Sequence, residues 1–252
     1  MDRLEKYSEE YEKNYSDHSF ELVLIKIRRA KIIESLKRHN HDRILEIGCG
    51  LEPLFMFFSD FSSYTLVEPS PRFMENARKH ADGKSKIHFV QDYLENAYEK
   101  LSGVSPYEFI IASSLLHEVP DPEKMLNILY KLCGVSTVIH INVPNLFSFH
   151  RLLGLEMGIV KDIHDKSEAE IRFNRHTQFD KSLLINMVKN AGFEVLSCGT
   201  YFIKPFSNEQ MGRFIKLNIL DRNVISGLEK MIKYLPEMGC EIFLEARKKS
   251  DR

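Results

Sequence analysis

Five short apolar runs rich in β-branched residues recur along the chain: "RILEIG" (43–48), "SYTLVEP" (63–69), "KIHFVQD" (86–92), "YEFIIAS" (107–113) and "VSTVIHINV" (135–143). Runs of this length and character suit strands buried on both faces of a parallel sheet. Helix signals stand between them. Ser70-Pro71 reads as an N-cap followed by proline at the first helical position, with Phe73, Met74 and Ala77 on one face. Asp121-Pro122 repeats the device before "KMLNILYKL", and Gly134 sits where a helix end favours a left-handed residue. Asp180 opens a further helix that Gly192 ends, and Leu22, Ile25, Ile32, Ile33 and Leu36 keep helical phase across 20–38, ahead of the first strand. "FEVLSCGTYFIK" (193–204) and "CEIFLEARK" (240–248) add two late strands without a crossover pattern, expected as an antiparallel pair. The pattern predicts an α/β fold. A seven-stranded, mostly parallel sheet is flanked by helices through right-handed crossovers, with ligand-binding loops at the C-terminal strand ends.

Two segments break the rhythm, 145–179 and 205–239. Loops of such length rarely lack internal structure, so both are expected to be helical cap insertions over a pocket of one domain spanning 1–252, with 1–40 as an N-terminal helical lid. With 35 basic and 36 acidic residues the formal net charge is -1, which opposes a polyanionic partner such as nucleic acid. No run approaches the ~18 apolar residues of a membrane span and "MDRLEK" is charged, so no membrane partner and a cytoplasmic location are expected. The four cysteines are scattered without a C-x-x-C pair and the histidines lack i, i+4 spacing, so no metal is expected. A small-molecule substrate and a homodimer are the expected partners.

The chemistry gathers at strand ends. The first strand closes as Glu46-Ile47-Gly48-Cys49-Gly50, where two glycines allow a tight turn and close approach of a ligand at the start of a following helix. Glu68 ends the second strand, where an acidic side chain accepts from both hydroxyls of a ribose. Asp92 ends the third, facing an adenine amine or capping the next helix. Glu52 stands where a dinucleotide fingerprint carries its third glycine. A carboxylate there repels pyrophosphate and suits a cation, though Glu52 itself is read as a first-turn residue complementing a helix dipole.

These motifs resemble the class I S-adenosylmethionine-dependent methyltransferases of the small-molecule group, which have a seven-stranded Rossmann-like sheet. The resemblance covers about residues 40–145 closely and "HTQFDKSLLINMVKNAGFEVLSCGTYF" more loosely. It implies S-adenosylmethionine as cofactor and S-adenosylhomocysteine as product. Glu46 would meet the methionine amino group, with Gly48, Cys49 and Gly50 admitting the methionine portion. Glu68 would hold the ribose, Pro69 and Ser70 its edge, Asp92 the adenine amine, and Tyr93 would pack near the ring. "ASSLLHEVPDP" would place Ser113, Ser114 and Leu115 beside the sulfonium, and "HINVPN" would turn Asn142 toward the substrate. Tyr11 and Tyr15 resemble tyrosines that close over the cofactor.

The implied reaction moves a methyl group to an O or N atom of a small metabolite or a sugar-bearing intermediate. An acceptor hydroxyl must shed a proton, and His117 is the base candidate, with packing at the cofactor edge as its alternative role. His150, His176 and Tyr201 are candidates to orient the acceptor, and Arg151, Arg172 and Arg175 to bind a carboxylate or phosphate on it. Two other readings stay open. A nicotinamide-dependent oxidoreductase is opposed by the missing third glycine and by the lack of a Tyr-x-x-x-Lys pair after the fifth strand. A non-catalytic S-adenosylmethionine-binding interaction protein would keep the same cofactor motifs.

Overall fold

The computed structural model describes residues 3–13, 19–81, 83, 85–104, 106–173 and 175–249; Tyr15 lies outside the described residues. The strands are β1 Arg43–Ile47, β2 Ser63–Val67, β3 Ile87–Val90, β4 Tyr107–Ser113, β5 Cys133–Pro144, β6 Phe193–Tyr201 and β7 Glu241–Lys248, in the order β3-β2-β1-β4-β5-β7-β6. β1 to β5 pair in parallel. The late strands form the expected antiparallel pair, and β7 is also antiparallel to β5, so it is inserted ahead of its predecessor in the sheet. Strand order reverses between β1 and β4. That switch opens a crevice at the C-terminal strand ends.

Helices α1 (Arg3–Lys13) and α2 (Phe20–Leu36) precede the sheet, and α3 (Pro71–His80), α4 (Leu94–Ser102) and α5 (Pro122–Leu132) form its crossovers. The first insertion carries α6 (Phe149–Glu156) and α7 (Glu168–Arg172), α8 (Lys181–Asn190) leads into β6, and the second insertion carries α9 (Asn208–Lys216) and α10 (Arg222–Lys230). The caps work as their residue types require: Ser70 Oγ accepts from Phe73 N at 3.3 Å, and Asp121 and Asp180 accept from Lys124 N and Leu183 N at 2.8 Å each. Gly192 is left-handed at φ +95°. Gly134 is not. α5 runs directly into β5 at Cys133, and a Cβ on Gly134 would stand 3.0 Å from the Pro106 Cβ, so close packing and not a helix-ending turn explains that glycine.

Alternation along β1 sends Ile44 to one face, with Leu66, Phe109 and Ile32 of α2, and Leu45 to the other, with Ile110, Leu126 and Ile139. A third cluster joins Phe20 and Leu24 of α2 to Phe202, Met211 and Cys240.

No α-helix follows β1. A single 3-10 turn, Leu54–Met56, is all that forms before β2. Residues 51–62 must return from the end of β1 to the start of β2, a strand's length of about 17 Å. An α-helix rising ~1.5 Å per residue would consume the whole segment and leave no chain for the turns. Phe55, Phe58 and Phe61 bury in the core and anchor the irregular connection.

Candidate active site

A cavity of about 780 Å³ opens at the C-terminal ends of β1, β2 and β4, roofed by α1 and α2. Its floor is the turn after β1, where Gly48 and Gly50 are left-handed at φ +71° and +54°. A Cβ on Gly50 would also come within 3.1 Å of the Tyr11 hydroxyl. Glu68 binds this turn to the next: its Oε2 accepts from Cys49 N at 3.1 Å and its Oε1 from Ser70 N at 2.8 Å. Burial pushes its carboxyl up. Glu46 accepts from the Tyr64 hydroxyl at 2.6 Å and from Leu54 N at 3.3 Å, and burial raises it to about 7 against the pull of those hydrogen bonds.

Glu52 has no helix dipole to complement, which corrects its reading as a first-turn residue. It pairs with Arg29 of α2, whose guanidinium lies 3.3 Å from the centre of the Phe57 ring.

The cavity wall brings together much of the motif set: the turn from Gly48 to Gly50, Glu46, Glu68 with Pro69 and Ser70, the rim residue Tyr93, Ser113 to Leu115, and His117. Asp92 is not in that wall. Its Oδ1 accepts from Tyr93 N at 2.8 Å and Asn96 Nδ2 at 2.9 Å, so it serves the start of α4. Asn142, His150, His176 and Tyr201 also stand outside the wall. His150 lies on α6 with a buried, unpartnered Nδ1, and His176 is exposed, its backbone N donating to His117 O at 2.9 Å. Arg151 is engaged within the first insertion by Glu170 at 2.8 Å and by two carbonyls. From that insertion Arg172, Phe173 and Arg175 reach the cavity; among the described residues none of 205–239 does, and α9 instead packs against α2 through the third cluster.

Asn142 and Tyr201 belong to a buried network behind the wall. Arg28 of α2 donates Nε to Glu241 Oε2 at 3.0 Å and pairs with the other oxygen, while the Tyr201 hydroxyl and Asn142 Nδ2, at 3.0 Å, also donate to Glu241 Oε2. Asn142 Nδ2 reaches Ser114 Oγ at 3.3 Å as well. Ser114 is a non-glycine residue at φ +53°, a conformation that persists where its surroundings impose it. Burial alone would raise Glu241; Arg28 and the donors hold it below the usual carboxylate range.

Arg28, Glu241 and Tyr7 were not recognisable in the sequence. Tyr7 donates to Glu118 Oε2 at 2.7 Å, and Ser8 Oγ meets Ser70 Oγ at 2.7 Å, which fastens α1 across the cavity. Arg28 alone has a local signal, the pair of arginines inside the apolar run "LVLIKIRRAKII".

His117 is 3% exposed, with neither ring nitrogen hydrogen-bonded among the described residues and Glu118 Oε1 at 3.6 Å. Burial, with Arg175 and Arg28 nearby, draws it well below the usual histidine range, so the imidazole is neutral at neutral pH. Among the described residues no three metal-ligating side chains cluster, no helix is long and apolar enough to cross a membrane, and the four cysteines are free thiols.

A seven-stranded sheet with a glycine turn and acidic strand ends at its switch point defines a nucleoside-binding α/β class. Residues 21–198 match the family model described as a methyltransferase domain. The chain belongs to this methyltransferase domain family. Methyltransferase calH of Penicillium decumbens is 35% identical over 125 residues, 44% of this chain and 31% of that protein, so the match spans about a third of the relative's length. An S-adenosylmethionine-dependent methyltransferase of Thermotoga maritima shares the fold at TM-score 0.61 and 18% identity, over 96% of this chain and 95% of that one. The N-methyltransferase NodS of Bradyrhizobium japonicum, solved with S-adenosylhomocysteine, does so at 0.59 and 11%, over 97% and 100%.

Proposed function

We propose that the chain is an S-adenosylmethionine-dependent methyltransferase of the cytoplasm that methylates an O or N atom of a small metabolite or sugar-bearing intermediate. One observation carries this reading: two buried carboxylates, Glu46 and Glu68, flank a left-handed glycine turn that no α-helix follows. A pyrophosphate is usually received at a helix N-terminus. Here that terminus is missing and the charges are negative, which opposes the nicotinamide reading and favours a phosphate-free nucleoside bearing cations.

The residues fit such a cofactor. A carboxylate offers about four lone-pair sites, so Glu68 can hold Cys49 N and Ser70 N and still receive a ribose diol. Glu46, in the cavity wall, would meet a ligand ammonium when ionised. The relatives' family and the S-adenosylhomocysteine held by NodS support the same assignment. When bound, S-adenosylmethionine supplies a methyl group on a sulfonium sulfur. The chain's task is then to align the acceptor and exclude water, and α1, held by Tyr7 and Ser8, closes the cavity to that end.

Binding of S-adenosylhomocysteine should follow the ionisation of Glu46. With that carboxyl near 7, the protonated form dominates below neutrality and cannot pair with the ammonium. Affinity measured by calorimetry should rise from pH 6 to 8, with a slope approaching about tenfold per pH unit on the acid side. Glu46→Gln should flatten the profile. A flat wild-type profile would remove Glu46 from the ammonium contact.

His117 is the proton acceptor in this reading. His117→Ala should lower turnover about 10²- to 10⁴-fold, the range of general-base catalysis, while leaving affinity for S-adenosylhomocysteine unchanged. Its acid limb should fall below the usual histidine range, because burial favours the neutral ring. Turnover is read as S-adenosylhomocysteine release across a panel of phenol, hydroxyl and amine acceptors. Wild-type turnover in the variant would exclude His117 as base.

A further inference from the structure

The arginines of the scaffold that border the cavity have carboxylate partners: Arg28 holds Glu241 and Arg29 holds Glu52. Arg175 is different. Its Nε is buried without a hydrogen-bond acceptor among the described residues. The nearest carboxylate oxygen in the ion-pair range, Glu118 Oε1, is 3.9 Å away, and the other oxygen of Glu118 is taken by the Tyr7 hydroxyl. Burial raises the Glu118 carboxyl, against the pull of Arg175 and the Tyr7 hydroxyl.

The position of Arg175 is set by its backbone. Its N donates to Glu170 O at 2.9 Å, its carbonyl accepts from Lys166 Nζ at 2.9 Å, and the next residue, His176, donates N to His117 O at 2.9 Å. The cap thus brings a guanidinium to the end of β4, on the wall shared with Ser114 and His117. Arg172, from the same short stretch, stands at the rim. A planar fork of donors held with one buried N–H unmet matches an incoming oxyanion, and buried donors are normally satisfied.

We propose that the methyl acceptor carries a carboxylate or phosphate-type oxyanion, and that Arg175 receives it beside His117. This rests on the methyltransferase reading above and narrows its substrate class. Arg175 thereby becomes a specificity-determining residue, with Glu118 as the rival that the anion displaces.

The test uses the full chain saturated with S-adenosylhomocysteine, in low-chloride buffer at constant ionic strength. Thermal shift and calorimetry follow acetate, benzoate, inorganic phosphate and sulfate, with benzamide as the neutral match to benzoate. At least one anion should bind the wild type and benzamide should not; whether the carboxylates or the tetrahedral anions bind tighter assigns the group. Arg175→Gln should lose that binding, Arg175→Lys should weaken it about tenfold, both keeping wild-type affinity for S-adenosylhomocysteine, and Glu118→Gln, measured at saturating S-adenosylhomocysteine, should strengthen it severalfold. If S-adenosylhomocysteine binds and no anion does, or if Arg175→Gln binds anions as the wild type does, the proposal is overturned and the cofactor assignment stands. If S-adenosylhomocysteine itself fails to bind, both fall together.

Discussion

Glu68→Ala should remove measurable binding of S-adenosylhomocysteine while the chain stays folded. The carboxylate is buried at the end of β2, and in the proposed complex it accepts from both ribose hydroxyls. Hydrogen bonds to a charged group contribute about 1.5–3 kcal/mol each, so losing two costs roughly 10²- to 10⁴-fold in affinity. A second effect adds to the first. Cys49 N and Ser70 N lose their common acceptor, so the glycine turn and the Ser70 turn are no longer held against each other. Glu68→Gln keeps one acceptor oxygen without the charge and should fall between the two. Calorimetry reads the affinity and circular dichroism the fold; unchanged affinity in Glu68→Ala would refute the ribose assignment.

Glu241→Ala and Arg28→Ala should be the most destabilising substitutions at the site. The pair is buried between α2 and β7, and removing one member leaves the other uncompensated, at a cost of about 3–5 kcal/mol. For a chain of this size roughly 2–4 °C accompany each kcal/mol, so the melting temperature should drop about 6–20 °C. An apolar replacement of both, Arg28→Met with Glu241→Met, should recover most of the loss, because no charge then remains buried. Recovery of stability should not restore the site. Asn142 would lose Glu241 as an acceptor while still facing Ser114, and Ser114 would lose part of what imposes its left-handed backbone. A single variant that melts with the wild type would show that the pair is not the anchor described here.

The pH dependence of this pair has a definite sign. Glu241 is held below the ordinary carboxylate value of 4.5, so the folded state binds its proton more weakly than the unfolded chain does. The stabilisation is therefore fully present above that value and is lost as pH falls through the folded one. Glu241→Gln should abolish this contribution to acid unfolding.

Much of the architecture was legible because local chemistry writes it. Ser70, Asp121 and Asp180 cap helices through their own side chains, three residues from the N–H they satisfy. The glycines after β1 need φ > 0, and Glu68 follows from its place at a strand end. Gly134 shows the limit of such reasoning. A glycine after a helical run has two explanations, a left-handed cap or a close neighbour, and the neighbour is Pro106, from a different segment. Asp92 had two roles in view, and the observed contacts are those of the helix start.

By itself the sequence determined the strand rhythm, the capped crossovers and the turn at which a nucleoside-class ligand would be received, since each depends on residues a few positions apart. Only the tertiary structure decided the rest. β7 lies between β5 and β6, paired antiparallel with both across long stretches of chain, and no helix follows β1 because the return distance to β2 leaves no room for one. Arg28 meets Glu241 across 213 positions, and Arg175 of the cap comes to rest near His117 in the turn after β4. Such contacts are set by how distant segments pack, and periodicity carries no record of which faces will meet.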